Sequence, residues 1–407
     1  LADTAALMLI ARMFDVITDP MMGTIADRTQ SRWGTYRPWL IFGAIPYGLV
    51  FALLFFTPDF GPVGKRVYAY TLYLLMMVMY TMVNVPYGSM LGVMTDDDND
   101  RNQFSSFRMC GAYAMGFITL LSFPYLQKMI GGSDQNQYAV LGAGFGALAA
   151  AMTLACGLMT KERLKPQRAE KFSFKQFADL FKNIPWVYIT LMGVCTNFFN
   201  GFRYAVAAYL IDYCLGGDIT IGSLIINYTV LMAFGEVTCM IFGGVSPKFT
   251  EWVGSKRMAF VWSSVICMVL SIAFFFIPQD PAYIWVIVGM VVLTSVGVGL
   301  YSPLVWSMYA DVADYATEKN GESSTGLIFS SGTMAQKFGG AVSGSLIALL
   351  LGLAGATMIK DEMGNESIDP ASITESVKTM VWALFSLFPA AIAAIMTVLA
   401  YKFPIKK

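Results

Sequence analysis

One segment near the amino terminus sets ionisable residues in a run that is otherwise apolar. It reads Leu9-Ile10-Ala11-Arg12-Met13-Phe14-Asp15-Val16-Ile17-Thr18-Asp19-Pro20. On an α-helix, Arg12, Asp15, Asp19 and Gly23 fall within roughly 80° of one another. The two carboxylates then stand one turn apart, about 6 Å along the axis. Carboxylates that close together in a low dielectric repel, so they either share a proton or close on a small hard cation. That is the chemistry of a coupling-ion site, with Asp15 and Asp19 holding H+ or acting as metal ligands for Na+. The plainer reading is an Arg12–Asp15 ion pair that locks helices together, and Arg12 is assigned that structural role.

Two further basic residues, Lys337 and Arg203, lie within apolar runs. A charge at the middle of a spanning helix is costly and calls for a partner or a function. Lys337 sits in a Gly- and Ser-rich stretch in which Gly339, Gly340 and Gly344 predict close helix packing. From there it can neutralise the carboxylates when the cation is absent. Arg203 has Asn197, Asn200 and Tyr204 nearby, residues suited to hydroxyl-rich ligands. It either pairs with Asp212 or Glu236, or faces a cavity and binds an anionic group such as a uronide.

Other chemistry is excluded or thin. The chain has no histidine, which removes His acid–base catalysis, His metal sites and His proton relays. Its six cysteines are scattered singly through apolar stretches and read as inert buried thiols. The acidic run Asp96-Asp97-Asp98-Asn99-Asp100 resembles the Mg2+–diphosphate motifs of membrane prenyltransferases, but Asp311-x-x-Asp314 falls short of the second motif such enzymes need. Helix-capping acids at a solvated turn are the expectation. The chain is therefore not read as an enzyme, and no cofactor is implied.

The elements that must position these residues are membrane-spanning. Hydrophobic residues make up 56% of the chain and charged ones 13%, against about 25% in globular proteins. Mean hydropathy is +0.59. Lys+Arg and Asp+Glu balance at 27 each, which gives no case for nucleic acid as a partner; the lipid bilayer is the expected one. Apolar runs long enough to span a bilayer occur at about 4–26, 38–57, 67–94, 106–126, 138–159, 186–215, 220–245, 257–278, 283–308, 325–356 and 377–402. Most Lys and Arg fall in one set of alternate connections, Arg108 among them, which makes that side cytoplasmic. Leu1 is then outside and Lys407 inside.

The sequence starts without an initiator Met, and a preceding helix is expected. An internal similarity agrees: Gly23, Gly34 and Arg37 recur at the same spacing as Gly243, Gly254 and Arg257, with Arg28 matched by Lys248. The expected fold is an all-α membrane protein of two six-helix bundles with the first helix absent, so eleven transmembrane helices are present. Residues 1–160 form the amino-terminal bundle, 161–185 a cytoplasmic linker and 186–407 the carboxy-terminal bundle. In the linker Phe174, Phe177 and Phe181 predict an amphipathic surface helix. Segment 357–376 reads as an external loop.

The motif Arg12-x-x-Asp15-x-x-x-Asp19-Pro20-x-x-Gly23, followed by Asp27-Arg28-Thr29, Arg32-Trp33-Gly34 and Arg37-Pro38-Trp39, resembles the signature of the glycoside–pentoside–hexuronide:cation symporters of the major facilitator superfamily. The similarity continues through Tyr80-Thr81-Met82-Val83-Asn84-Val85-Pro86-Tyr87, Ala310-Asp311-Val312-Ala313-Asp314-Tyr315 and the Lys337 segment, so it covers nearly the whole chain. The resemblance implies a major facilitator fold and alternating access driven by a cation gradient. Its cation ligands map onto Asp15, Asp19 and Thr81, and its membrane lysine onto Lys337, with Thr333 one turn before. Arg108 matches a family arginine near the sugar, and Asp311 and Asp314 match a cytoplasmic loop motif.

Two positions depart from the melibiose permease-like members. Those carry an aspartate where this chain has Asn84 and a tryptophan where it has Gly88, both beside sugar and cation. The lost carboxylate puts H+ coupling on an equal footing with Na+. Gly88 in place of an aromatic platform argues against α-galactosides and predicts a wider cavity. The expected function is cation-coupled symport of a glycoside or related sugar, by a monomer in the bacterial inner membrane. A non-transporting sugar receptor on the same scaffold is the alternative.

Overall fold

The computed structural model describes residues 2–164, 180–222, 224–320, 324–360 and 366–405. The helices are α1 (Ala2–Arg28), α2 (Arg37–Leu54), α3 (Pro62–Ser89), α4 (Leu91–Met94), α5 (Asp98–Ile130) and α6 (Asp134–Met159). They continue with α7 (Ile184–Tyr209), α8 (Tyr228–Val253), α9 (Lys256–Phe275), α10 (Ile284–Asn320), α11 (Thr325–Leu353), α12 (Glu375–Phe385) and α13 (Leu387–Tyr401). Among the described residues, nine helical segments are long and apolar enough to cross a membrane. Short polar caps start several of them. Asp97, Ser133, Asn183, Asn227 and Thr374 each accept a hydrogen bond from a backbone N–H of the first turn, satisfying donors that have no partner within the helix.

The span pattern holds, with local differences. The run 186–215 ends as an α-helix at Tyr209 and continues through a π turn, Leu210–Cys214. The last span divides at Ser386 into α12 and α13. Two hairpins interrupt an otherwise helical chain: β1 (Ile219–Ile221) with β2 (Leu224–Ile226), and β3 (Met358–Lys360) with β4 (Glu366–Ile368), the latter within the expected external loop. The amphipathic helix expected at Phe174 and Phe177 lies outside the described residues.

The internal similarity has a physical counterpart. Gly34 and Gly254 both take positive φ, 113° and 81°, where a side chain is strained. Gly23 lets α1 cross α11: a Cβ built on it would lie 2.5 Å from the Gly326 carbonyl oxygen. Gly243 of α8 faces α5, where the Ser106 hydroxyl donates to its carbonyl. Arg37 bonds the carbonyls of Gly157 and Leu158 at the end of α6, and Arg257 bonds that of Tyr401 at the end of α13. Each arginine thus closes the last helix of its own half, where helix carbonyls lack partners.

Two helices run further than expected and relocate charged residues. The polar stretch before 106 is the first two turns of α5, not a connection, because Arg101, Asn102, Ser105 and Ser106 are buried against neighbouring helices. Arg108 is therefore inside the bundle rather than in a cytoplasmic loop. Asp311 and Asp314 are likewise helical residues of α10, since Ala310, Val312, Ala313 and Ala316 pack around them and carry the helix to Asn320.

Candidate functional site

Three helices bring the sequence-predicted ion residues together. Asp15 and Asp19 project from α1, Thr81 from α3 and Lys337 from α11. Lys337 Nζ donates to Asp15 Oδ1 and Asp19 Oδ1, each at 2.8 Å, and to Thr81 Oγ1 at 3.0 Å. The Thr81 hydroxyl donates to Asp19 Oδ1 at 2.6 Å. Asp19 is 0% exposed, and its Oδ2 is buried without a hydrogen-bond partner. Tyr80 lies beside the ammonium, 5.5 Å from ring centroid to Nζ. The close α1–α11 crossing at Gly23 and Gly326 is what allows the lysine to reach the carboxylates. The side chain of Arg12, and so the Arg12–Asp15 pair, lies outside the described residues. Among the described residues no group of three or more His, Cys, Asp or Glu gathers as a metal cage, so a cation here would rely on two carboxylates and a hydroxyl.

A second constellation surrounds a small cavity of about 60 Å3 lined by Tyr113, Asn197, Asn200, Ser302, Trp306 and Gln336 among others. Arg108 lies against Trp306 of that wall, with the guanidinium 3.9 Å from the Trp306 ring centroid and 4.6 Å from that of Tyr87. One terminal nitrogen, NH1, is buried without a partner. A guanidinium held over two aromatic rings with an N–H still unpartnered can donate to a ligand oxygen. Asparagine, glutamine and tyrosine groups in the same wall supply donors and acceptors for hydroxyls. Trp306 and Gln336 escaped the sequence reading; a tryptophan and an amide inside long apolar helices were the available signals.

Several expected ligand residues stand elsewhere. Arg203 is buried and donates to the Val291 carbonyl and Ser295 Oγ of α10, at 3.3 and 3.2 Å. It pairs with neither Asp212 nor Glu236 and does not line the cavity, because Phe199, Phe202 and Val206 bury that face of α7 within the carboxy-terminal helices. Gly88 opens no extra space: a Cβ there would meet Phe329, Trp306 and Arg108 at 3.5–3.8 Å. Asn84 makes no side-chain bond to the lysine group among the described residues. Thr333 returns its hydroxyl to the Phe329 carbonyl of its own helix at 3.2 Å. Gly339 packs tightly on Asn197 of α7, whereas Gly340 and Gly344 have nothing within 4 Å.

The basic ends of the helices are latched by polar contacts. Asp27 accepts from the backbone N–H of Gly326 at 2.7 Å and Leu327 at 3.3 Å, and from the Tyr36 hydroxyl at 2.6 Å. It therefore caps the start of α11 from α1. Burial pushes its carboxyl up to about 6, and the Tyr36 and backbone hydrogen bonds pull partly against that. Arg101 pairs with Asp314, and Lys256 with Asp311 at 2.9 Å and Asp98 at 3.5 Å. Glu162 accepts from the N–H groups of Thr35, Tyr36 and Arg37. In the acidic run, Asp97 caps α5 through Asn99 and Asp100, the helix-capping duty expected of these acids, and Asp98 in addition joins the latch.

Long apolar helices around a buried lysine–dicarboxylate group make this a multi-pass membrane protein. A family model described as MFS/sugar transport protein matches residues 2–407, and the chain belongs to that family. The Inner membrane symporter YicJ of Escherichia coli is 31% identical over 95% of this chain and 81% of its own length. The Putative glycoside/cation symporter YagG of the same organism is 29% identical over 95% and 80%. Among solved structures, the E. coli fucose:proton symporter FucP superposes with a TM-score of 0.65 at 14% identity, over 99% of this chain and 91% of that one. The protein is thus a multi-pass membrane transporter of the sugar-transporting branch and not an enzyme.

Proposed function

We propose that this protein is a secondary active symporter that moves a glycoside or related sugar together with one monovalent cation, H+ or Na+. The observation that carries this reading is the Lys337 ammonium held by Asp15, Asp19 and Thr81 across α1, α3 and α11. The ammonium fills the position a coupling ion needs, and Asp19 Oδ2 remains as a buried acceptor for a proton or a cation. An ion arriving there competes with Lys337 and loosens the tie between α1 and α11. Because binding is reciprocal, sugar and ion then raise each other's affinity by the same factor.

In this reading 1–160 and 186–407 are the halves that rock about the cavity, with 161–185 as their link. The latched basic end is cytoplasmic, as the distribution of Lys and Arg supports, and the conformation faces outward in the bacterial inner membrane. Arg108 takes over the anion- or hydroxyl-binding part that Arg203 cannot play. Relatives include a Glucuronide carrier protein homolog and a Putative sulfoquinovose importer of E. coli, which supports testing acidic sugars beside neutral ones.

The test is uptake of neutral and acidic glycosides into vesicles carrying the full-length protein, with a Na+ or H+ gradient imposed separately. Accumulation against a concentration gradient with one ion supports symport and identifies that ion. Sugar binding without flux under either gradient would replace the symporter with a receptor.

A further inference from the structure

A carboxyl on α8 has no part in the groups described so far. Glu236 lies within the apolar stretch of α8, and its Oε1 accepts a hydrogen bond from the Tyr204 hydroxyl of α7. Its Oε2 is buried and has no hydrogen-bond partner. Across the seam between the halves stands α5, and a Cβ built on Gly116 would lie 3.4 Å from Oε2 and 3.5 Å from Cδ. The carboxyl therefore faces α5 at a glycine, where a methyl group would be in van der Waals contact with it.

The nearest cation, Arg203, is close enough for its charge to act on the carboxyl but makes no salt bridge to it. Arg203, next to Tyr204 in sequence, spends a terminal nitrogen on Val291 and Ser295. The other titratable neighbours are Tyr113 of α5, hydrogen-bonded to Ser302 at 2.6 Å; Cys239 of α8, directed at the Ser295 carbonyl; and Tyr301 of α10. A tyrosine can donate one hydrogen bond, and that of Tyr204 is already made. An ionised carboxylate with one bare oxygen and no hydrogen-bonded cation is costly within a spanning helix. A proton on Oε2 removes the charge and keeps the Tyr204 bond to Oε1.

We propose that Glu236 is a second proton-binding site of this transporter, distinct from the Lys337 group and placed at the seam of α5, α7 and α8. The proton rests on Oε2 while α5 covers it. When α5 and α8 part, water reaches Oε2 and accepts the proton, leaving a hydrated carboxylate that is reprotonated as the seam closes. Its place in the transport cycle rests on the symport reading above; protonation in the resting protein does not.

The experiment is infrared difference spectroscopy of the full-length protein in lipid, recorded across pH, with uptake measured on the same preparations. Wild type and Asp19→Asn should both show a C=O stretching band of a protonated carboxylic acid that Glu236→Gln lacks. Tyr204→Phe, which removes the hydrogen bond to Oε1, should move that band in frequency. Spectra of Glu236→Gln that superimpose on wild type at every pH overturn the site. Should Glu236→Gln fail to fold, an unmoved band in Tyr204→Phe overturns it equally. The band present without gradient-driven uptake supports the site and rejects symport; coupled uptake with no such band does the reverse.

Discussion

Lys337 Nζ lies 2.8 Å from Asp19 Oδ1 and so ties α11 to α1 at a point where Asp19 is wholly buried. Removing the Asp19 charge leaves the buried ammonium with Asp15 as its one remaining carboxylate partner among the described residues, and takes one of the two carboxylates from the ion site. Asp19→Asn should abolish sugar accumulation under both Na+ and H+ gradients while the protein remains in the membrane. Wild-type accumulation in this variant would falsify the ion site.

Lys337→Ala leaves Asp15 and Asp19 together without the ammonium between them. Coupled uptake should be lost or uncoupled, with sugar exchange at equal concentrations surviving better than accumulation. Sugar and ion fluxes measured together decide the point. An unchanged flux ratio with full accumulation removes Lys337 from the mechanism.

The Arg108 guanidinium lies over the rings of Tyr87 and Trp306, with centroid distances of 4.6 and 3.9 Å. A lysine keeps the charge but not the plane or the paired N–H edge. Arg108→Lys should weaken sugar affinity at least tenfold, about 1.4 kcal/mol, and leave the ion dependence of uptake unchanged. Titration calorimetry with a transported sugar reads the first effect, and uptake against ion concentration the second. Equal affinities mean that the guanidinium edge does not touch the ligand.

How far these sites were legible in the sequence depends on whether one helix carries them. Asp15, Asp19 and Gly23 obey the helical period, so their shared face could be read directly. The distance from α1 to Lys337 is a tertiary fact, and only resemblance joined them beforehand. Arg203 was ambiguous because a charge in an apolar run does not say which neighbour its face meets; Phe199 and Phe202 buried beside it decide for α10. Arg108 reads in sequence as a residue of a connection because the first turns of α5 are polar. Those turns are polar where they meet other helices: Arg101 reaches Asp314 and Ser106 reaches Gly243. Polarity that marks a loop in sequence here marks contact between halves.

The Asp27 contact with the start of α11 makes the latch sensitive to pH. Its carboxyl is raised from 3.8 to about 6 in this conformation, mainly by burial. A raised value means the closed arrangement binds the proton more tightly than one in which Asp27 is exposed. The proton-linked stabilisation is therefore full below pH 3.8 and is lost as pH rises through about 6, by up to ~3 kcal/mol. In a background lacking the six native cysteines, thiol labelling of Thr325→Cys, divided by its rate in the unfolded protein at the same pH to remove thiolate ionisation, should be faster at pH 8 than at pH 5. Asp27→Asn should flatten that dependence; identical profiles with and without it would exclude Asp27 as the sensor.

Gly23 stands one turn beyond Asp19, and a Cβ there would lie 2.5 Å from the carbonyl oxygen of Gly326 and 2.7 Å from its carbon. Backbone cannot move aside as a flexible side chain can, so Gly23→Ala must push α1 away from α11. That shift carries Asp15 and Asp19 off the Lys337 ammonium, and misplacements of about 1 Å can cost a hundredfold where geometry is critical. Gly23→Ala should therefore depress coupled uptake far more than it depresses the amount of folded protein. Gly340→Ala on the same helix pair's outer side, with nothing within 4 Å of its Cβ position, is the matched control and should transport like wild type. Equal uptake by the two variants would mean that the α1–α11 crossing tolerates separation and that the lysine reaches its carboxylates by some other adjustment.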